Sequence, residues 1–418
     1  MKGIFVVLSG VSDEPSRLLG QITPLQAAKT PNFDELAKQS KLDYCFSVKE
    51  GVVPESSSAA VSLLGYDPNF ISRGSLEAIG SGIDLKPGDL ALMTNFATID
   101  GFDTKNILDR RAGRTLTWKE ARILAKAINQ KVKLPYKFEF KPTQHHRGVL
   151  VVKGGFSDNI TGIDPSHDNN GMVITNSSGK FNFSKAMDDD DESKLAADVV
   201  NNFIKQSHEI LDKHPLNINR VKKGLYSANF ILCRGAGSEL PKIKKIKGDW
   251  MALGYNSLDS GIAKYLKMNL YRVGYPSLKG LDVYSNLNTG LKKAIKHSIK
   301  MLKKYKAKHD YFYINFRELN SAGLDNKPLE KVKMIELLDR RFISFLNGFV
   351  RKNNLKLVIT GDHTTSSKRK SHMDLPVPVL FYSDDNEKSQ EKRFTEEQAI
   401  LGRKISGRKL LERTLFSR

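Results

Sequence analysis

Cysteine is nearly missing from this chain. Two thiols, Cys45 and Cys233, in 418 residues exclude a disulfide framework and point to a reducing cytoplasm. Long apolar runs are missing as well. None approaches the length needed to cross a bilayer, so no membrane association is expected. The opening run Ile4-Phe5-Val6-Val7-Leu8 is short for a signal peptide, and no small-residue cleavage site follows it convincingly. It reads as a first buried strand. Acid is in deficit: 46 acidic residues face 67 Lys and Arg, a formal charge of +21. A polyanionic partner such as RNA or a ribonucleoprotein would explain that excess. A lysine-rich proteome or a salt-rich cytoplasm would leave the same mark. What is present suffices for a globular protein. Hydrophobic residues make up 39%, and the length suggests two domains, one inserted in the other.

Strands alternate with helices along the chain, which predicts an α/β fold around a mostly parallel sheet. The first strand covers 4–8. Thr23-Pro24-Leu25 opens a short helix, and Thr30-Pro31-Asn32 opens another with Phe33, Leu36 and Ala37 on one face. Pro54-Glu55-Ser56-Ser57-Ser58 leads into an apolar helix. Free backbone N–H groups at such a start favour an anion, and a serine there can carry a reactive hydroxyl; simple capping gives the same pattern. Arg73 to Ala78 and Asp109 to Arg114 read as arginine-rich loops, suited to gripping phosphate or carboxylate, or to solvated ion pairs. Further elements are a strand over 148–154, an amphipathic helix over 193–212 and a strand over 230–233 that ends in a tight turn at Arg234-Gly235-Ala236-Gly237. Beyond these come a helix over 290–308, a strand over 311–316 and a long helix over 328–349. The 290–308 helix carries eight lysines from Lys292 to Lys308. With the basic tail from Arg403 to Arg418, it is the best nucleic-acid footprint in the chain, although such runs are commonly a solvated face.

The chemistry concentrates in one stretch. Leu357-Val358-Ile359-Thr360 is an apolar strand that ends in Gly361-Asp362-His363, and His372 follows shortly after. A carboxylate and two imidazoles at a strand end are ligands for Zn, Mn or Mg-type ions. Sites of α/β sheets lie at strand C-terminal ends.

These motifs resemble the archaeal-type, cofactor-independent phosphoglycerate mutases of the alkaline phosphatase superfamily. The carriers are Thr23 to Asn32, Leu63-Leu64-Gly65-Tyr66-Asp67-Pro68, Arg73 to Gly82, Asn95-Phe96-Ala97-Thr98, Asp109 to Arg114, Arg234 to Gly237 and Gly361-Asp362-His363. The resemblance implies an alkaline-phosphatase-like domain from residues 1–82 and 243–418, with an inserted α/β domain over 83–242. It implies two divalent ions, a serine that takes and returns the phosphoryl group of phosphoglycerate, and arginines that hold the substrate. By that likeness Ser56 is the nucleophile, and Arg110, Arg114, Arg147 and Arg234 are substrate contacts. Asp362, His363 and His372 are metal ligands.

The same likeness exposes departures. The family's first-strand Leu-Asp-Gly is here Leu8-Ser9-Gly10. The Asp and His expected after the strand ending near Phe316 are Asn320 and Leu324. A family lysine before Gly261-Ile262 is Ser260. Hard divalent ions depend on anionic oxygen ligands. The expectation is therefore a degenerate homologue with one ion at most, or none. It would have impaired catalysis and be reused for binding. An active, metal-dependent mutase is the alternative.

Overall fold

The computed structural model describes residues 2–165, 179–278, 280–384 and 392–417. Fifteen strands form a large sheet, a second five-stranded sheet and a small two-stranded ribbon. They are β1 (Gly3–Leu8), β2 (Ser40–Phe46), β3 (Leu90–Ile99), β4 (Ile107–Asp109), β5 (Phe138–Gln144), β6 (Arg147–Val152), β7 (Phe230–Gly237), β8 (Trp250–Gly254), β9 (Asn269–Arg272), β10 (Tyr311–Phe316), β11 (Lys356–Thr360), β12 (Thr364–Ser366), β13 (Ser371–Met373), β14 (Val377–Tyr382) and β15 (Lys404–Ser406). The large sheet runs β15-β2-β14-β11-β1-β10-β8-β9. Five of its seven pairings are parallel; β14 is antiparallel to both β11 and β2. This is the predicted mixed α/β architecture.

The apolar run of β1 explains its central place. Ile4, Val6 and Leu8 pack into a core on one face, with Phe312, Ile314, Leu357 and Ile359. Phe5 and Val7 pack into a second core on the other, with Tyr313 and Val358. A strand covered on both faces has no use for alternation, so it reads as continuous hydrophobics. Register then sets the site. Leu8 lies opposite Phe316 in β10, and Val7 opposite Thr360 in β11. The chains leaving β1, β10 and β11 therefore emerge side by side, carrying Ser9, Arg317 and Asp362.

The second sheet uses only residues between Leu90 and Gly237. Its strands β4, β3, β6 and β5, with β7 added beside β3, are antiparallel throughout. Helices Trp118–Lys131 and Asp191–Asp212 contribute to its core around Phe96, Phe140, Phe203 and Phe230. This sheet and its helices fall within the segment 83–242 that the resemblance describes as an insertion. No helix among the described residues is long and apolar enough to cross a membrane.

Several local expectations change. Arg73 begins a helix, Arg73–Ser81, whose N-cap Ser72 accepts from Ser75 N. The Arg73 guanidinium is buried between Glu55 and Glu77 and is not displayed on a loop. The turn expected at Arg234-Gly235-Ala236-Gly237 is the continuing strand β7, in which Gly235 takes a positive φ of 60°. The long helix starts at Pro328, but Asp339–Ile343 widens into a π-turn before the rod resumes to Asn353. Buried Asp339 is occupied there: its carboxylate accepts from the Phe33 backbone N–H at 2.8 Å and from Asn32 Nδ2 at 2.8 Å. The lysine-rich helix is longer than expected, Val283–Tyr305. Of the basic tail, Arg418 lies outside the described residues.

One buried cation ties the rod to the sheet edge. Lys331 Nζ, fully buried, donates to Ser12 O at 3.0 Å, Asp13 Oδ2 at 2.9 Å and Thr365 O at 3.1 Å. Its removal leaves Asp13 and two carbonyls short of a donor in a dry place. Lys331→Met should therefore lower unfolding free energy by about 3 kcal/mol or more in urea melts; a loss under ~1 kcal/mol would show the cluster to be hydrated.

Candidate active site

Ser9 leaves β1 fully buried and donates through Oγ to Asp362 Oδ2 at 2.8 Å. Gly10 N–H donates to Asp362 Oδ1 at 3.0 Å. Gly10 has φ of +70°, and a Cβ there would lie 2.6 Å from Thr365 Oγ1 and 2.8 Å from Asn320 Cα. Only glycine fits both the turn and the gap.

Ser56 is the first residue of helix Ser56–Leu63. Its Oγ lies 3.1 Å from His363 Nε2, and that nitrogen lies 3.3 Å from Asp362 Oδ1. Thr365 Oγ1 donates to Asn320 Oδ1 at 2.9 Å and lies 2.9 Å from His363 Nδ1. The hydroxyl proton being committed to Asn320, Thr365 accepts from Nδ1–H, and Nε2 is left to accept from Ser56. His372 Nδ1 donates to Pro54 O at 2.9 Å, and its ring stacks on His363 with centroids 3.7 Å apart. Burial pushes His363 down to about 3, helped by Arg317 and Lys331, and pushes His372 well below the usual range, helped by His363. Both rings are neutral. Burial raises the Asp362 carboxyl, opposed by Arg317 and the Ser9 hydrogen bond.

Arg317 is the residue that sequence reasoning missed. It follows β10 directly, so the β1–β10 register alone could have placed it. Its Nε donates to Asp259 Oδ2 at 2.8 Å and its NH2 to Asp259 Oδ1 at 2.6 Å. Its NH1 faces Asp362 Oδ2 at 3.8 Å. Burial alone would lower this guanidinium, but Asp259 and Asp362 outweigh it and raise it. Beside it Glu318 is buried and accepts from Tyr255 Oη at 3.1 Å and Tyr275 Oη at 3.3 Å.

The arginines named from sequence fall into two groups. Arg234 pairs with Glu55, the residue before Ser56, and Glu55 also takes Arg73 NH1 at 3.0 Å. Arg110 pairs with Asp164, which lies 3.9 Å from Arg234 Nε. Arg114 Nε meets Asp325 Oδ2 at 2.9 Å, and Arg111 NH1 meets Asp325 Oδ1 at 3.4 Å, so the inserted segment is clamped to the chain just past Leu324. Arg147, at the start of β6, makes no ion pair with a described residue. Burial and the neighbouring Arg73 charge push it down to about 10. Burial and Arg114 push Arg111 down to about 9. His145 Nδ1 and Arg110 Nε are buried without a hydrogen-bond partner among the described residues. Ser260 turns away, donating to Asn256 O within its own helix at 2.7 Å. Leu324 is half-buried at the end of helix Glu318–Leu324 and offers no donor atom.

This geometry can be set beside known proteins. A 2,3-bisphosphoglycerate-independent phosphoglycerate mutase of Pyrococcus abyssi is 35% identical over 410 residues, covering 96% of this chain and 93% of its own length. The chain belongs to the 2,3-bisphosphoglycerate-independent phosphoglycerate mutase family. A family model of that description matches residues 37–217. The mutase of that name from Thermococcus kodakarensis is also 35% identical, over 417 residues, with 96% and 93% covered. Among solved structures, a Pyrococcus horikoshii protein superposes with a TM-score of 0.74 at 27% identity, covering 99% of this chain and 96% of that one. The cofactor-independent phosphoglycerate mutase of Thermoplasma acidophilum gives 0.54 at 27% identity, with 100% and 99% covered. This mutase-family chain thus shares the fold of these solved structures along nearly all of its described length.

Glu318 gives the site a pH signature. Burial pushes its carboxyl up to about 7 from an ordinary 4.5. The folded protein then holds a proton that the unfolded chain has lost between those values. The contribution is fully present below about pH 4.5 and is lost as pH rises through about 7. Thermal melts of wild type should lose stability across that window, on the order of 3 kcal/mol at most, and Glu318→Gln should flatten the loss. Identical pH profiles would place Glu318 in contact with solvent.

Proposed function

We propose that this mutase-family protein binds a small phosphorylated or carboxylated anion in its arginine cleft while its two-ion centre is incomplete, so that phosphoglycerate mutase turnover is weak or lost. The supporting observation is how the departing positions are used. Ser9 Oγ is a hydrogen-bond donor to Asp362, where a family carboxylate would bring negative charge. Asn320 Oδ1 is engaged by Thr365, and Leu324 has nothing to coordinate with. His372 is then alone among the three ligands of one ion. The other ion keeps Ser56, Asp362 and His363. As a set for two hard divalent ions these residues do not fit. In the family such ions make the serine alkoxide-like and offset charge on the transferred group.

The anion side of the reading rests on Arg147. A half-buried guanidinium that makes no ion pair with a described residue, pushed down first by loss of solvent and then by the Arg73 charge, with Glu77 opposing, gains from any anion that enters. Phosphoglycerate is the natural first candidate. One observation favours the alternative of a working mutase: Ser56 Oγ lies 3.1 Å from His363 Nε2, and that nitrogen lies 3.3 Å from Asp362 Oδ1, so the three retained positions still converge.

Purified protein supplied with Mn should interconvert 2- and 3-phosphoglycerate poorly, and Ser56→Ala should leave that residual rate unchanged. Calorimetry with 3-phosphoglycerate should detect binding that Arg147→Ala weakens roughly tenfold, ~1.4 kcal/mol. Robust Mn-stimulated turnover abolished by Ser56→Ala would overturn the proposal.

A macromolecular partner is a separate part of the proposal. Lys292, Lys296, Lys300, Lys303 and Lys304 stand exposed along helix Val283–Tyr305 while Leu291, Ala294, Ile295, Ser298, Met301 and Leu302 face the core. That solvated lysine face is where we assign RNA or a ribonucleoprotein. Nucleic acid should copurify at low salt, fall away as salt rises, and vanish on charge reversal of these lysines. Clean protein at low salt removes this part and leaves the anion cleft standing.

A further inference from the structure

The floor of the cleft already holds a cation. Arg317 clamps Asp259 with two parallel hydrogen bonds, 2.8 and 2.6 Å, and turns its remaining nitrogen, NH1, toward Asp362 Oδ2 at 3.8 Å. NH1 makes no hydrogen bond to a described residue. Asp259 is fully buried and otherwise satisfied, accepting from Asn256 Nδ2 at 2.6 Å and Asn315 Nδ2 at 3.2 Å. The guanidinium therefore cannot swing away without stranding a buried carboxylate. On its other side, Asp362 Oδ2 takes the Ser9 hydroxyl at 2.8 Å and Oδ1 takes Gly10 N–H at 3.0 Å.

We propose that Arg317 is the resident cation of this site: its guanidinium balances Asp362 where the family uses a divalent ion, and it keeps such an ion out. The inference rests on the reading above in taking Asp362 as a retained family ligand position. Asp259, Asp362 and Arg317 together carry one negative charge. A divalent ion at Asp362 would reverse that sign and face a fixed positive group close by in a poorly solvated place. A planar guanidinium supplies a permanent charge with no loss to chelators and no dependence on metal supply. Two features then act together. Ser9 puts a hydroxyl beside Asp362 where the resemblance implies an acid, and Arg317 supplies positive charge on the other side of the same carboxylate.

The test separates the two changes. Mn binding is followed on the full chain by the electron paramagnetic resonance of free Mn, with melting temperature as a second readout. Wild type should show no saturable site in the submillimolar range and no Mn-dependent shift in melting. Ser9→Asp alone, which restores the family carboxylate but keeps Arg317, should stay nearly blind to Mn. Ser9→Asp with Arg317→Gln should gain a saturable site of at least tenfold higher affinity and a melting temperature that rises with Mn. A stoichiometric Mn site in wild type, or one created by Ser9→Asp alone, overturns the proposal. So does a folded double variant that gains nothing. Should the double variant fail to fold, Ser9→Asp and wild type still decide. Mn binding without mutase turnover defeats only the role of Arg317. Turnover in the presence of chelator defeats only the proposed loss of catalysis.

Discussion

A carboxylate buried at a strand end has to be balanced by something, and in this protein that carboxylate is Asp362. It is fully buried and has three neighbours to offset it: the Ser9 hydroxyl, the Gly10 N–H and the Arg317 guanidinium. Opposite charges about 4 Å apart interact by roughly 4 kcal/mol at an effective protein dielectric, so the choice of neighbour decides what the site can hold. The sheet enforces this meeting. Parallel pairing of β1 with β10 and β11 brings three chain exits to one level, and the residues there cannot avoid one another. Everything downstream, from the neutral imidazoles of His363 and His372 to the position of Ser56, is arranged around that point.

A second layer of charge closes over the first. Glu55, next to Ser56, draws in Arg73 from its own domain and Arg234 from the inserted segment. Asp325, just past Leu324, draws in Arg111 and Arg114. Of the four arginines that the family resemblance assigns to substrate recognition, carboxylates of the chain itself engage three: Arg234 pairs with Glu55, Arg114 with Asp325 and Arg110 with Asp164. Arg147 is the exception. Burial and the Arg73 charge push its guanidinium down, as burial and Arg114 do for Arg111, while acids on two sides push Arg317 up. Both shifts begin with burial; the sign of the neighbours separates them.

Much was legible in the sequence for reasons that are local. Continuous apolar runs at 4–8, 311–316 and 357–360 are what strands covered on both faces require, and they are the centre of the sheet. Helix starts at Pro24, Pro31 and Pro328 follow from proline's fixed φ and missing donor. Arg73 was misplaced on a loop because a guanidinium looks solvent-seeking until its partners are known, and Glu55 lies far along the chain from any helical spacing to it. The strand β7 was cut short at Arg234 because a glycine-flanked arginine has the composition of a turn. The π-turn at Asp339–Ile343 has no local signature; what the structure adds is its Asp339 carboxylate, held by Asn32 and Phe33 of the helix at Pro31–Ala37.

The family and the α/β class are carried by residue type in a fixed order, and the same order draws the eye to Ser9, Asn320, Leu324 and Ser260. What those four residues do is set by the folded chain. That Ser9 becomes a donor to Asp362, that Asn320 orients His363 through Thr365, and that Arg317 stands between Asp259 and Asp362 depends on distances between residues hundreds of positions apart. Charge compensation acts through space over a few ångströms, and the sheet register, not the order of residues, sets which charges come that close.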